Sequence, residues 1–298
     1  MRILITGSGG FVGTETIKLF NERGIETINY DIMLGGDIRD VAQLDKVVGE
    51  TNPNRILHLA AIARFKEADR DQILAFETNV LGTANVVGVA KKYHIPLVYS
   101  STGSVYMPIK QKPPITEEFP TIGNSTYGCS KSIAERYVEK HTPYIILRYA
   151  HLYGEEKRYH GLIGGFISRI QFGLAPILYG GKQSNDFTYI KDVAEANYLA
   201  VTAPWDKWNQ AYNIGTGEEL TAEKAGKLIC KVFGYTGKIE KREQRTVDPD
   251  RFVFDCSKAE KMLGFKAKYN FEAGLKEMKK EIKTKTFDEP IYQHLGQR

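Results

Sequence analysis

Short β-branched runs alternate with helical stretches through the first half of the chain. Residues 2–6, Arg-Ile-Leu-Ile-Thr, read as a strand, 11–23 as a helix stopped at Gly24, and 25–31 as a second strand. A helix at 41–50 and a strand at 55–59 follow. A long helix is expected over 71–93, where Phe76, Val80, Ala84, Val87 and Ala90 recur at helical spacing. The pattern continues with a strand at 96–100, a helix at 126–141 and a strand at 144–148. Strands that are apolar on both faces and separated by helices predict an α/β fold, a doubly wound parallel sheet covered by helices.

After about Tyr153 the rhythm changes. Glycines crowd 154–181, around a helix carrying Leu162, Ile163, Phe166, Ile167 and Ile170. A charged, less regular region spans 238–255, and Ser257-Lys-Ala-Glu260 reads as a capping box opening a short helix. Phe271, Leu275, Met278 and Ile282 then mark one face of a final helix. The expected organisation is a first domain over 1–153, to which 186–215 returns, and a smaller α+β lobe formed mainly by 154–298.

Composition narrows the function classes. With 298 residues, 42% hydrophobic and 26% charged, the chain can bury a sizeable core. A net charge of +5 with Lys and Arg spread along the chain makes no case for nucleic acid. Three widely spaced cysteines, Cys129, Cys230 and Cys256, suit neither a disulfide framework nor a zinc site, and no metal is expected. No uninterrupted apolar run approaches the roughly 18 residues of a membrane helix. The strand beginning at Arg2 leaves no room for a leader, so a cytoplasmic protein without a membrane partner is expected.

Candidate chemistry begins directly after the first strand. Thr6-Gly-Ser-Gly-Gly-Phe-Val-Gly13 puts Gly7, Gly10 and Gly13 between strand and helix, with Phe11 and Val12 opening the helix. Such glycines permit a tight turn, close approach of backbone to a pyrophosphate and close helix–strand packing, while the helix N-terminus offers N–H groups and a positive dipole end. Asp31, 18 positions beyond Gly13, ends the second strand where a carboxylate would accept the hydroxyls of an adenosine ribose. It would repel a 2′-phosphate, so NAD is expected rather than NADP.

Tyr127-Gly-Cys-Ser-Lys131 sets a phenol and an ammonium at i and i+4 on one helix face. A phenol of pKa about 10 is a poor base at neutral pH, and a cation one turn away, with a positive nicotinamide ring beside it, is expected to favour the phenolate and lower that pKa. Val98-Tyr-Ser-Ser-Thr-Gly-Ser-Val-Tyr106 leaves a strand at its C-terminal end, where ligands of open α/β sheets bind. A hydroxyl there is placed to bond the oxygen that Tyr127 deprotonates.

Taken together these motifs resemble the extended short-chain dehydrogenase/reductase family, in particular its nucleotide-sugar epimerase and dehydratase group, which includes the UDP-glucose 4-epimerases. The resemblance implies a Rossmann sheet binding NAD over 1–153 and a substrate-binding lobe after it. Thr6 to Gly13 matches the family's TGxxGxxG, and Gly36-Asp-Ile-Arg-Asp40 its adenine-contacting segment, which implies Asp37 and Ile38 near the base. His58-Leu-Ala-Ala61 matches HxAA, bringing Leu59, Ala60 and Ala61 to the cofactor, and Asn79-Val-Leu-Gly-Thr83 matches NxxGT. Ser100 to Tyr106 matches SSxxVY, Tyr127 to Lys131 matches YxxxK, and Arg148 to Gly154, with Tyr149, resembles RYxNxYG. Asp186-Phe-Thr-Tyr189 and Tyr212-Asn-Ile-Gly215 resemble RDFxY and YNxG.

By this resemblance Thr102, Tyr127 and Lys131 are the catalytic set. Gly7, Gly10, Phe11, Val12, Gly13, Asp31, Asp37, Ile38, Leu59, Ala60, Ala61, Asn79, Ser100, Tyr127, Lys131 and Tyr149 are implied to meet NAD. Arg64, Ser101, Thr102, Tyr127, His151 and Arg245 are implied to meet a nucleotide-sugar substrate. His151 stands where the family has asparagine, either a phosphate donor or a packed polar residue. Asn185 replaces the arginine before Asp-Phe, and Met107 a glycine. Arg64 faces either the substrate or solvent.

The resemblance also separates reactions. Family dehydratases carry an Asp-Glu pair after the catalytic Thr, and decarboxylases tend to keep the Glu; here the positions are Gly103 and Ser104. The expected activity is therefore C4 epimerisation through a transient keto sugar. A sugar dehydrogenase or dehydratase of the same family, and a non-catalytic dinucleotide sensor, are the alternatives. The family dimerises through the helices at 71–93 and 126–141, so a homodimer is expected.

Overall fold

Six strands pair in parallel, and the inner ones carry apolar interiors that helices cover from both sides. The protein is described here by a computed structural model covering residues 1–107, 112–141, 143–155, 161–243 and 251–283. The strands are β1 (Arg2–Thr6), β2 (Glu26–Tyr30), β3 (Arg55–His58), β4 (Leu97–Thr102), β5 (Tyr144–Tyr149), β6 (His151–Tyr153), β7 (Ile177–Tyr179), β8 (Ser184–Asn185), β9 (Phe187–Tyr189), β10 (Gln210–Ile214), β11 (Leu220–Thr221) and β12 (Glu240–Arg242). The main sheet runs β2-β1-β3-β4-β5-β10, and three small pairs, β6–β9, β7–β12 and β8–β11, lie outside it.

The helices are α1 (Phe11–Glu22), α2 (Val41–Thr51), α3 (Phe65–Arg70), α4 (Gln72–Phe76), α5 (Thr83–Lys92), α6 (Thr126–His141), α7 (Gly161–Gln171), α8 (Ile190–Thr202), α9 (Ala222–Phe233), α10 (Ser257–Leu263) and α11 (Phe271–Lys283). On one face of the sheet Ile3, Ile5, Leu57, Val98 and Leu147 meet Phe20 of α1 and Val193, Ala196 and Ala200 of α8. On the other, Leu4, Ile56, Leu97, Tyr99 and Ile146 meet Leu44 and Val48 of α2, Val86 and Ala90 of α5, and Ala134 and Val138 of α6. The doubly wound parallel sheet predicted from the strand pattern, and the Rossmann architecture that the resemblance implies, are the ones observed. Truncating a core leucine such as Leu147 to alanine is expected to cost about 2–5 kcal/mol. A third cluster, Val105, Tyr106, Ile115, Phe252 and Phe254, ties the C-terminal region to the exit of β4.

Local departures from the sequence reading have physical causes. The helix expected over 71–93 runs continuously from Gln72 to Lys92, with one local change: it begins at a cap where Asp71 accepts from the Leu74 N–H, and Glu77–Gly82 within it is a π-helical turn. That wider turn coincides with Asn79, whose side chain is drawn out of the helix and whose carbonyl accepts the Thr83 hydroxyl at 2.7 Å. The capping box at Ser257 does not form. Cys256 occupies the cap position, Asp255 accepts the Ser257 N–H at 2.9 Å, and Glu260 turns to Lys266. Gln72–Lys92 is the one stretch among the described residues long and apolar enough to cross a membrane, but its Val86, Val87, Val89 and Ala90 are core residues against the sheet.

Candidate active site

The C-terminal ends of β1, β3 and β4 open on one side of the sheet, and the loops leaving them build the site. Gly7 has a φ of +71°, and a β-carbon there would sit 2.6 Å from the Ala60 nitrogen. A β-carbon on Gly13 would strike the carbonyl oxygens of Gly7 and Ser8. Both positions therefore demand glycine, for conformation at the first and for close helix packing at the second. Gly10 caps α1 with no side-chain bond, so the N–H groups of Phe11, Val12 and Gly13 have no intrahelical acceptor and sit at the positive end of the helix dipole.

Asp31 closes the other side of this loop. Its Oδ2 accepts the Gly9 N–H and its Oδ1 the Met33 N–H, both at 2.9 Å. Each carboxylate oxygen has a second lone pair, so a ribose diol can still be bound. A glycine cradle with no room for a β-carbon, a bare helix N-terminus and a carboxylate 8% exposed together suit NAD. Leu59 and Ala60 line the cradle, with their N–H groups donated to the Thr6 carbonyl and hydroxyl at 3.0 and 3.3 Å, and Ala61 follows them. Asp37 turns its carboxylate to Arg39, which holds it below the usual carboxylate range, and Ile38 packs its side chain beneath Gly82.

His58, between these elements, is fully buried and shares short contacts with the hydroxyls of Thr6 (2.6 Å) and Thr83 (2.9 Å). Burial, and then the charge of Lys131, push its pKa down to about 3, so it stays neutral and braces the β1 and β3 ends. Asn79 is equally buried. Its amide both accepts from the Ile62 N–H and donates to the Ile62 carbonyl, and also donates to the Ser130 hydroxyl at 3.0 Å. The loop after β3 is thereby locked to the turn of α6 that carries Tyr127 and Lys131. Ser100 donates to the His58 carbonyl at 3.0 Å.

Thr102 ends β4, and its hydroxyl accepts the Ser104 N–H at 3.2 Å. It also interacts with the Tyr127 hydroxyl, so the two expected catalytic hydroxyls are neighbours. Lys131, one turn along α6, is 2% exposed, with its ammonium 4.1 Å from the Tyr99 ring centre. A ring face recovers about 0.5–2 kcal/mol for a cation, less than the several kcal/mol that burial costs. Burial consequently lowers the Lys131 pKa to about 7 even though the charge of Glu135 supports the protonated form.

The expectation pairs this lysine with a nicotinamide ring; among the protein's own groups, burial dominates at Tyr127. Burial raises the Tyr127 pKa to about 12, and the Thr102 hydroxyl opposes that only in part. The same dry pocket that would strengthen the pairing also weakens the hold of Lys131 on its proton.

Other expected residues are spread more widely. Ser101 is buried on the strand beside Thr102, and its hydroxyl has no hydrogen-bond partner among the described residues. Tyr149 donates to Asn197 at 2.6 Å, which in turn reaches Thr16 of α1, so its hydroxyl braces the opposite face of the sheet. His151 is exposed, with its ring edge-on to Phe187 at 5.2 Å. Arg64 caps α3 and lies 3.7 Å from Glu67. Arg245 lies outside the described residues.

A supporting network escaped the sequence reading. Glu135, one turn beyond Lys131, is forked by Arg148 through bonds of 2.8–3.2 Å. Arg148 also donates to the Tyr106 hydroxyl, which donates to Asn213 of β10. Asp186, fully buried, accepts from Thr216 and Gly217 and so fixes the turn after β10. The signal was present as Glu135 four positions after Lys131, but a charge on a helix reads equally as solvated surface. Gly103 abuts the rings of Phe252 and Phe254, and a β-carbon there would collide with them.

The sequence pattern described as the NAD dependent epimerase/dehydratase family matches residues 3–215. A Methanocaldococcus jannaschii protein, provisionally named a UDP-glucose 4-epimerase, is 30% identical over 92% of this chain and 96% of its own length. A Bacillus cytotoxicus UDP-N-acetyl-alpha-D-glucosaminuronate decarboxylase is 29% identical over 93% of this chain and 96% of its own. Among solved structures, the Thermotoga maritima UDP-glucose 4-epimerase with UDP-glucose superposes with a TM-score of 0.88 at 27% identity, covering 95% of this chain and 99% of that one. The Thermus thermophilus UDP-glucose 4-epimerase with NAD gives 0.84 at 27% identity, covering 96% and 100%.

Proposed function

The chain belongs to the NAD-dependent epimerase/dehydratase family, and from that premise we propose that it is a nucleotide-sugar epimerase inverting C4 through a transient keto sugar. Similar chains are named as epimerases, dehydratases and decarboxylases, so family membership alone does not choose the reaction. The observation that carries the choice is the turn after Thr102. Elimination needs an acid to protonate the leaving hydroxyl and a base for the neighbouring C–H, and at Gly103 the Phe252 and Phe254 rings leave no room for any side chain. Ser104 is the next residue, so neither position bears a carboxylate.

The remaining groups suffice for a redox-neutral inversion. Tyr127 takes the proton of the sugar hydroxyl and later returns it, Thr102 hydrogen-bonds the same oxygen, and Lys131 supplies positive charge one turn away. Gly7, Gly10, Gly13 and the N-terminus of α1 hold the pyrophosphate, and Asp31 the adenosine ribose. Bound NAD+ supplies a hydride acceptor that can return the hydride to the other sugar face, and its positive ring favours the phenolate. On this reading 1–153 with 186–215 bind NAD, and the rest of the chain after 154 mainly binds the sugar nucleotide. A homodimer would cover Ile73 and Leu81, exposed ahead of and within the π turn, and Ile133 and Tyr137 on α6.

The test is incubation of the purified protein with UDP-, dTDP- and GDP-hexoses, with bound NAD measured by mass. Conversion of one sugar to its C4 epimer without accumulated NADH, lost in Tyr127→Phe, is the expected result. Accumulating NADH would make it a dehydrogenase instead, and a keto-deoxy product a dehydratase.

A further inference from the structure

Phe65 opens α3 and is 51% exposed, yet its ring is not isolated: it stands edge-on to the Tyr127 ring, centroids 5.7 Å apart at 84°. Single exposed apolar residues are ordinary on protein surfaces. What separates Phe65 is the rigidity of its setting. It lies three positions after Ile62, whose N–H and carbonyl are both held by the buried Asn79 amide, and that same amide is tied to Ser130 on α6. Ala68, one turn on, is fully buried, so α3 is pinned at its other end. A half-exposed aromatic ring is thus held on a fixed frame beside the phenol that borders Thr102.

The chemistry that matches such a face is a pyranose. One side of a hexose ring presents axial C–H groups with no hydroxyls between them, a small apolar surface that lies flat on an aromatic ring. Phenylalanine offers that surface with no polar atom that would compete for the reacting hydroxyl. We propose that Phe65 is the platform on which the sugar ring of the substrate lies as its hydroxyl meets Tyr127 and Thr102, making it a specificity-determining residue for the sugar rather than for the nucleotide. The proposal rests on the nucleotide-sugar reading above.

The experiment is calorimetric titration of the NAD-bound Tyr127→Phe enzyme, which keeps the ring at 127 but does not turn over. Phe65→Ala and Phe65→Leu are added to it, and each form is titrated with UDP, dTDP and GDP and with UDP-glucose, dTDP-glucose and GDP-mannose. Affinity for the sugar nucleotide that the parent prefers is expected to weaken about three- to ten-fold in Phe65→Ala and less in Phe65→Leu. Affinity for the matching diphosphate is expected to stay unchanged. In the Tyr127-containing enzyme, Phe65→Ala should raise KM while leaving the pH profile of kcat in place. Equal affinity for the sugar nucleotide with and without Phe65 overturns the platform alone. A matched loss for diphosphate and sugar nucleotide, or a displaced pH profile, also overturns it, because Phe65 would then be supporting the loop or Tyr127. A parent enzyme that binds none of the six ligands overturns the nucleotide-sugar reading and the platform with it.

Discussion

Lys131 and Arg148 are both buried cations served by α6, and the protein treats them in opposite ways. Arg148 makes three bonds to the Glu135 carboxylate and a fourth to Tyr106. Burial works against its charge, but the charge and hydrogen bonds of Glu135 outweigh that and raise its pKa. Lys131 has an aromatic ring and a carboxylate one turn away that is already taken by the arginine, and its pKa falls to about 7. The first arrangement holds charge permanently and joins β5, β10 and the β4 exit. The second leaves an ammonium whose charge a small change in surroundings can switch. The difference teaches that burial alone does not mark function; a buried charge with incomplete compensation does.

Removing the uncompensated cation should have the largest effect. Lys131→Met is expected to cut turnover about 10²–10⁴-fold, in the range for losing acid–base assistance, while melting no lower than the parent. That combination of lost activity and kept or raised thermal midpoint is read by steady-state kinetics and calorimetry, and a large drop in midpoint would count against it. The pH dependence sharpens the same point. The folded pKa of Lys131, about 7, lies below the unfolded value near ~10.4, so between them the unfolded chain binds the extra proton. The burial penalty is therefore complete below pH 7 and relieved as pH rises. Any stability advantage of Lys131→Met should shrink from pH 7 towards pH 10.

Breaking the compensated pair should act on stability. Glu135→Gln strands Arg148 without its counter-charge and is expected to cost about 3–5 kcal/mol in urea unfolding. Gly103→Ala, pressed against Phe252 and Phe254, should cost about 1–3 kcal/mol by overpacking. An unchanged unfolding midpoint in this variant would show that the aromatic wall yields, leaving the missing carboxylate at 103 and 104 as the argument against elimination. At the bottom of the scale, Lys280→Ala removes the exposed pair with Glu277 and should move the thermal midpoint by less than about one degree.

The legibility of these two regions in sequence differed for the same reason. Tyr127 and Lys131 lie on one helix face at fixed spacing, so their adjacency follows from helix geometry and needs no tertiary knowledge. Arg148 reaches Glu135 across the packing of β5 on α6, and Asn213 joins them from 65 positions further along the chain. No local period encodes such a meeting. The electrostatic outcome was likewise beyond local reading: burial raises the Tyr127 pKa and lowers that of Lys131, and neither follows from their spacing on the helix.

What the chain's sequence determined by itself was everything set by short-range geometry. This covers the alternation of strands and helices, the glycines demanded at the β1–α1 turn, the carboxylate ending β2, and the i, i+4 pairing on α6. Tertiary structure alone decided the π turn at Asn79 that locks the loop after β3 to α6, the filling of the space at Gly103 by Phe252 and Phe254, and the protonation balance of Lys131. Those depend on which distant side chains share a desolvated volume. Desolvation is a property of the packed interior, where a neighbour far along the chain costs or stabilises a charge as much as one a single turn away.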